Sequence, residues 1–370
     1  MTAKRILLIE TDRLLSRIFC ECLDDEDFRV EAVDSGADAI AMITSACPDA
    51  VVIDAAVAEP EADEIIRAIR AQASSRELRI LVLPTSRGAL ALATENAGAN
   101  KILQRSSDPL SELVRGLREM LCFGQQLALS KKRNPDWWRQ SLKAAPETLN
   151  AMRRALHAIS RDASDPVAVR EFFQLVHGLS EQMAVLGQKP LFALLSAAEA
   201  LAFDLWKIPA LRNASSLRTL GQVVDFTAVL LSDEHRLRTQ DPASADVLIV
   251  DDEDGARRMI LGAMQLVNLR AIASDSPSAS LRVLALQNFD LIFLDVGLPE
   301  MSGFDLCTKI RGTARHEKTP IVFLTGMATF QNRARSSLSG GNDFVSKPFS
   351  LSELGVKAVM WILKGQLGVS

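Results

Sequence analysis

The chain has 370 residues, 48% of them hydrophobic and 24% charged, with a formal net charge of −4 at pH 7. That length exceeds one ordinary core and implies two or three domains of globular composition. The acidic balance offers no bulk attraction to nucleic acid or an anionic membrane, and no apolar run reaches the roughly 18 residues of a membrane span.

The elements begin at once. MTAKRILLIE (1–10) enters a strand-like run without the apolar core and small-residue cleavage site of a signal peptide. The five cysteines have no metal-ligand spacing and mostly lie in apolar periodic segments, which suits reduced thiols in a cytosol. In the first third, ILLIE (6–10), PDAVVID (48–54), RILVLP (79–84) and GANKILQR (98–105) carry short apolar strands separated by amphipathic helical stretches.

Between about 124 and 240 the strand pattern vanishes. PDWWRQ (135–140) opens a helical region, with Asn134 as N-cap and Pro135 in the first turn. Amphipathic helices follow at 147–160, 165–187, 189–206 and 215–235, and their short loops predict an antiparallel bundle. Within the second, LVHGLSEQMAVLG (175–187) places His177 and Glu181 one turn apart on a shared face. RLRTQDPASAD (236–246) reads as linker. In the last third, strands are predicted near 246–250, 270–273, 290–294, 320–324 and 342–345, and helices near 254–267, 277–287, 302–312, 328–338 and 350–364.

The outer thirds are two copies of one pattern. ILLIE matches VLIVD (247–251) at an offset of 241, Ile6 against Val247, and the same offset sets PDAVVID against FDLIFLD (289–295) and RILVLP against PIVFLT (320–325). One residue is then lost in the first copy, and GANKILQR matches GGNDFVSK (340–347). Continuous apolar strands alternating with helices imply a parallel sheet covered on both faces, an α/β doubly wound fold in each copy. In such sheets the working residues lie beyond the carboxyl ends of the strands.

In the last third those ends are Asp251-Asp252, Asp295 and Thr325, and the fifth strand is followed by Lys347-Pro348. Three carboxylates at one sheet edge repel each other, and Mg2+ is the natural partner: a hard cation taken by carboxylates, water and phosphate oxygens. A nucleophilic carboxylate, a divalent metal, a fixed cation and a hydroxyl donor are what phosphoryl transfer to an aspartate requires. Residues 245–367 resemble a response-regulator receiver domain of flavodoxin-like fold. The resemblance implies that Asp295 is the phospho-acceptor, that Asp251, Asp252, Asp295 and the backbone carbonyl of Gly297 hold Mg2+, and that Thr325 and Lys347 grip the phosphoryl group. It also implies that Phe344 is the aromatic switch.

The first third keeps this frame and loses part of the site. Glu10-Thr11 stand where Asp251-Asp252 do, Asp54 matches Asp295, Pro84 matches Thr325, and Arg105-Ser106 replace Lys347-Pro348. Mg2+ demands near-octahedral geometry, proline donates no hydroxyl hydrogen bond, and arginine differs from lysine in shape and reach. The first third is read as a degenerate receiver. Asp54 is either a slow phospho-acceptor or part of a docking or self-association surface. The helical middle is similar to a histidine phosphotransfer (HPt) domain, because His177 is followed ten residues later by Gly187 in a Leu-Gly pair. The resemblance implies that His177 is the phosphohistidine. Ser180 and Glu181 depart from it, standing where the family usually has lysine and glycine, and Glu181 opposes an incoming phosphate by charge and bulk.

The expected organisation is therefore a degenerate receiver over 1–123, an HPt-like helical bundle with linkers over 124–240, and a receiver over 241–370. The expected function is cytoplasmic two-component signalling. A histidine kinase or HPt protein phosphorylates Asp295 in a Mg2+-dependent step, and the face carrying Thr325 and Phe344 then changes binding to the chain's own domains or to a partner, either a downstream protein or a second copy of the chain. Two alternatives stay open: a phosphorelay intermediate passing phosphate between Asp295 and His177, and a scaffold that is not phosphorylated. Direct contact with nucleic acid or membrane is not expected.

Overall fold

A computed structural model of the chain describes residues 3–24, 28–46, 48–57, 60–72, 78–83, 88–104, 109–121, 137–232, 245–326 and 339–368, with 46, 88–92 and 137–142 described by backbone alone. The chain forms two compact units, one of Met1–Ala151 with Phe173–Gln188, the other of Met152–Phe172 with Lys189–Ser370. Among the described residues there are two five-stranded parallel sheets and thirteen α-helices.

In the first unit the strands are β1 (Lys4–Ile9), β2 (Phe28–Val33), β3 (Ala50–Asp54), β4 (Arg79–Leu83) and β5 (Lys101–Ile102), in the order β2-β1-β3-β4-β5. The helices between and after them are α1 (Arg13–Asp24), α2 (Gly36–Ala46), α3 (Ala62–Ala71), α4 (Gly88–Ala97) and α5 (Pro109–Met120). β3 is buried throughout, as a central parallel strand with both faces covered must be. Leu8, Phe19, Val52, Leu81 and Leu113 build one core, and Val185 joins it from the helical middle.

In the second unit β6 (Asp246–Val250), β7 (Arg270–Ser274), β8 (Leu291–Asp295), β9 (Ile321–Thr325) and β10 (Asp343–Ser346) repeat the topology as β10-β9-β8-β6-β7. β1 pairs with β3 as Ile6 with Ala50, and β6 with β8 as Val247 with Leu291, so the duplicated sequence produces a duplicated register. One arginine clasps each copy. Arg70 donates to the carbonyls of Leu78 and Gly98 and to Asn100 Oδ1, and Arg311 donates to the carbonyls of His316, Thr319 and Gly340 and to Asn342 Oδ1. His316 is 1% exposed, with its Nε2 3.1 Å from the Leu284 carbonyl oxygen, a histidine held in the packing of the second unit.

The helical middle consists of α6 (Trp137–Arg161), α7 (Pro166–Val185), α8 (Lys189–Lys207) and α9 (Ala214–Ser232), and residues 173–188 of it belong to the first unit. α6 starts earlier than the predicted 147–160 and runs through Pro146. A proline inside a helix removes one amide donor, and Pro146 is exposed. In the second unit Arg212 ties off α8 by donating to the carbonyls of Leu205 and Trp206. The remaining helices are α10 (Asp254–Leu266), α11 (Pro277–Leu286), α12 (Gly303–Arg311) and α13 (Leu351–Leu367). Ser276, Ser302 and Ser350 cap α11, α12 and α13, each accepting the amide hydrogen three residues on. α13 is buried without interruption from Ser352 to Leu363, packed against α10, α8 and α9. The predicted helix 328–338 lies outside the described residues, as do Asn134, Pro135, Pro84, Arg105 and Ser106. No helix among the described residues is long and apolar enough to cross a membrane.

Candidate functional site

The register brings the predicted residues of the last third to one edge. Asp251 follows β6, Asp295 ends β8, Thr325 ends β9 and Lys347 follows β10. Lys347 Nζ lies 2.8 Å from Asp251 Oδ2 and 2.9 Å from Asp295 Oδ1, and so holds both carboxylates. The other oxygen of each accepts a backbone N–H, from Glu253 to Asp251 Oδ1 at 2.9 Å and from Gly297 to Asp295 Oδ2 at 2.7 Å. Burial pushes the Asp251 carboxyl above the ordinary carboxylate range, and the nearby Asp295 charge adds to it while Lys347 opposes it. Burial works to lower the Lys347 ammonium, but its hydrogen bonds to Asp251 and Asp295 carry it above the usual lysine value. Asp252 points to solvent and is exposed. The Lys347 amide donates to the Thr325 carbonyl at 2.7 Å, tying the two strand ends together. Gly303 is required here, because a Cβ on it would lie 2.1 Å from the Asp295 carbonyl oxygen.

The donor set suits a hard divalent cation. Mg2+ characteristically takes one or two carboxylates and keeps several waters or phosphate oxygens, and Asp251 and Asp295 are two converging carboxylates. No group of three or more His, Cys, Asp or Glu side chains among the described residues converges as a metal site, in keeping with the outward position of Asp252.

Phe344 lies on β10 with its ring half-buried against the core cluster that holds Phe323 and Leu306. Its other side meets α9. The Arg218 guanidinium stacks 4.0 Å from the ring centroid, and Arg218 Nη2 donates to the Phe344 carbonyl at 3.1 Å.

The corresponding edge of the first unit is closed by a residue from the helical middle. Asp54 ends β3 at 1% exposure, and its Oδ1 accepts the Ala56 N–H at 2.9 Å, the same contact that Asp295 makes with Gly297. His177 Nε2 lies 3.2 Å from Asp54 Oδ2, and His177 is itself 4% exposed. The ring stacks on Phe173 at 6.2 Å between centroids. Gln182 Nε2 donates to Asp12 Oδ2 at 3.0 Å, while Asp12 Oδ1 caps α1 by accepting from Leu14 and Leu15. A Cβ on Gly178 would come within 2.6 Å of Asp12 Oδ2, so the glycine after the histidine permits this approach. The space left between Glu10, Asp54, Leu103, Glu112, His177 and Glu181 is about 20 Å³, room for one water. Glu10 is held well above the ordinary carboxylate range, first by burial and then by the charge of Asp54.

Sequence reasoning did not find the meeting of His177 with Asp54, nor Gln182, Gly178 and Arg218 as contact residues. The signal for Arg218 was in the helix pattern. Ser215, Arg218, Thr219 and Gln222 recur at three- and four-residue steps and look like a solvent face, although Ser215, Ser216 and Thr219 are buried.

The response regulator receiver domain profile matches residues 6–115 and 247–359, more than half of the chain, and the chain belongs to that family. The transcriptional regulatory protein SrrA of Staphylococcus aureus (strain NCTC 8325 / PS 47) is 35% identical over 119 residues, 32% of this chain and 48% of SrrA. The chain thus spans about half the length of the curated relatives it matches. Among solved structures, chemotaxis response regulator CheY4 of Vibrio cholerae is 27% identical over 30% of this chain and 92% of its own, with a TM-score of 0.29. The signal receiver domain of a signal transduction histidine kinase from Syntrophus aciditrophicus is 27% identical over 32% of this chain and 90% of its own, with a TM-score of 0.30.

Proposed function

We propose that the chain is a two-component signalling protein whose second receiver is phosphorylated on Asp295. The observation that carries this reading is the Lys347 bridge, which gathers two buried carboxylates at the end of a parallel sheet. An Asp295 carboxylate oxygen attacks the phosphorus of a phosphohistidine on a histidine kinase or HPt protein. The new P–O bond forms as the P–N bond breaks, and the departing imidazole takes a proton from solvent. Lys347 and the Gly297 N–H orient the carboxylate, and Thr325, at the end of the adjacent strand, is the hydroxyl donor to the transferred group. Asp251, Asp252, Asp295 and the Gly297 carbonyl would hold Mg2+, which when bound offsets charge on the phosphoryl oxygens. Phe344 is the residue through which the phosphorylated state is read.

Mg2+ with beryllofluoride, a phosphoryl mimic, tests the reading on the full chain. It should raise the melting temperature, because a ligand that binds only the folded state stabilises it by mass action. Asp295→Asn should abolish the shift and Asp54→Asn should leave it intact. A shift that survives Asp295→Asn sinks the assignment.

A second reading concerns His177, and its contact with Asp54 favours one form of it. His177 and Asp54 mask each other, so any relay through His177 requires residues 173–188 to leave the first receiver. Incubation with a phosphorylated kinase, followed by acid and base treatment of the label, separates the cases. Acid-labile label lost in His177→Ala supports the relay; label confined to Asp295 supports a switch with a closed first receiver.

A further inference from the structure

The face of the second receiver made by β10 and α13 is covered by α8 and α9, and the chemistry of that cover is unusual. A surface helix normally turns an apolar stripe inward. α9 instead presents Ser215, Arg218, Thr219 and Gln222, a stripe at helical spacing, and each of the four makes a polar contact with the receiver. Ser215 and Thr219 hydroxyls donate to Glu353 Oε1 at 2.7 and 3.1 Å, Lys357 donates to Gln222, and Arg218 takes the Phe344 carbonyl and ring. Asp204 of α8 accepts from Ser352. On the receiver side Lys357 and Trp361 both donate to Asp343, the neighbour of Phe344. Buried polar networks are poor sources of net stability, but their best-attested use is to specify one arrangement and to switch it. Their members regain water when the surfaces part, which an apolar stripe cannot do.

We propose that α8 and α9 are the built-in output partner of the second receiver, and that Arg218 is the positioning residue that reads Phe344. This rests on the proposed role of Asp295 and Phe344. With Asp295 unmodified, the Phe344 ring lies under the Arg218 guanidinium and α9 is seated. When Thr325 engages a phosphoryl group and the Phe344 ring turns inward, Arg218 loses its stacking face. The α9 stripe loosens from β10 and α13. The signal thus leaves the receiver through the chain's own helices, and an external partner would meet a released α9.

Hydrogen–deuterium exchange on the full chain, with and without Mg2+ and beryllofluoride, tests this. In the wild type, peptides over 291–297 should become protected, and peptides over 214–232 should exchange about tenfold faster, within the range typical of linked sites. Arg218→Ala should exchange fast over 214–232 before addition and respond little afterwards, while keeping protection over 291–297. Arg218→Lys, which keeps the charge and lacks the planar face, should lie between. Protection over 291–297 with unchanged exchange over 214–232 overturns the inference and leaves the Asp295 reading standing. No protection over 291–297 overturns both.

Discussion

Asp54 and Glu10 are two buried carboxylates at one strand edge, and the imidazole of His177 is the group set against them. The distance from His177 to Asp54, 3.2 Å, is close to that from Lys347 to Asp295, 2.9 Å, so a histidine borrowed from α7 stands to the first site as the lysine stands to the second. His177→Ala leaves Asp54 buried without that neighbour, and leaving a buried polar group unsatisfied costs about 1–3 kcal/mol. The urea midpoint should fall to match, and His177→Gln should recover part of it. Glu10 gives a pH signature. Its folded-state carboxyl holds a proton more tightly than the unfolded chain does, so stability should decline as pH rises above about 4.3 towards the raised value. Glu10→Gln should flatten that slope in urea titrations across the range, and a slope unchanged by the substitution would place its origin elsewhere. Gly178 offers a second lever: Gly178→Ala pushes on Asp12, which is fixed by Gln182 and the α1 amides, and should weaken the seating of residues 173–188.

Elements with a fixed period were readable in advance; their partners were not. The strands of the last third fell where the apolar runs put them, because the central ones are buried on both faces, and their ends delivered Asp251, Asp295, Thr325 and Lys347 to one edge. The substitutions in the first copy were equally legible from the offset. The destination of α7 was not, since its apolar spacing states that one face is covered and not by what. The polar stripe of α9 names no partner for the same reason: Ser215 and Thr219 satisfy their hydrogen bonds against Glu353, a residue 138 and 134 positions away. A cap is a local feature that can be tested alone. Ser350 accepts the Glu353 N–H at the start of α13, and Ser350→Ala should cost about 1 kcal/mol, read as a lower urea midpoint with an unchanged m value.

Across the whole molecule, the burial of α13 sets where the second receiver can be cut. A fragment beginning at residue 245 lacks α8 and α9 and bares the surface of α13 that they cover; a fragment beginning at 189 keeps it. The longer fragment should melt at the higher temperature and show less concentration-dependent aggregation, which differential scanning calorimetry and light scattering would register. The two arginine clasps carry a different lesson. Arg70 with Asn100 and Arg311 with Asn342 make matching bonds in two sheets whose acidic edges have diverged. The chain is thus a natural paired comparison of two copies of one frame that carry different edge residues. A contact that both copies keep while their edges differ is one that the frame itself requires. By that criterion an Arg…Asn pair about thirty residues apart, with the asparagine just before the fifth strand, marks a receiver frame even where the residues of the acidic edge differ.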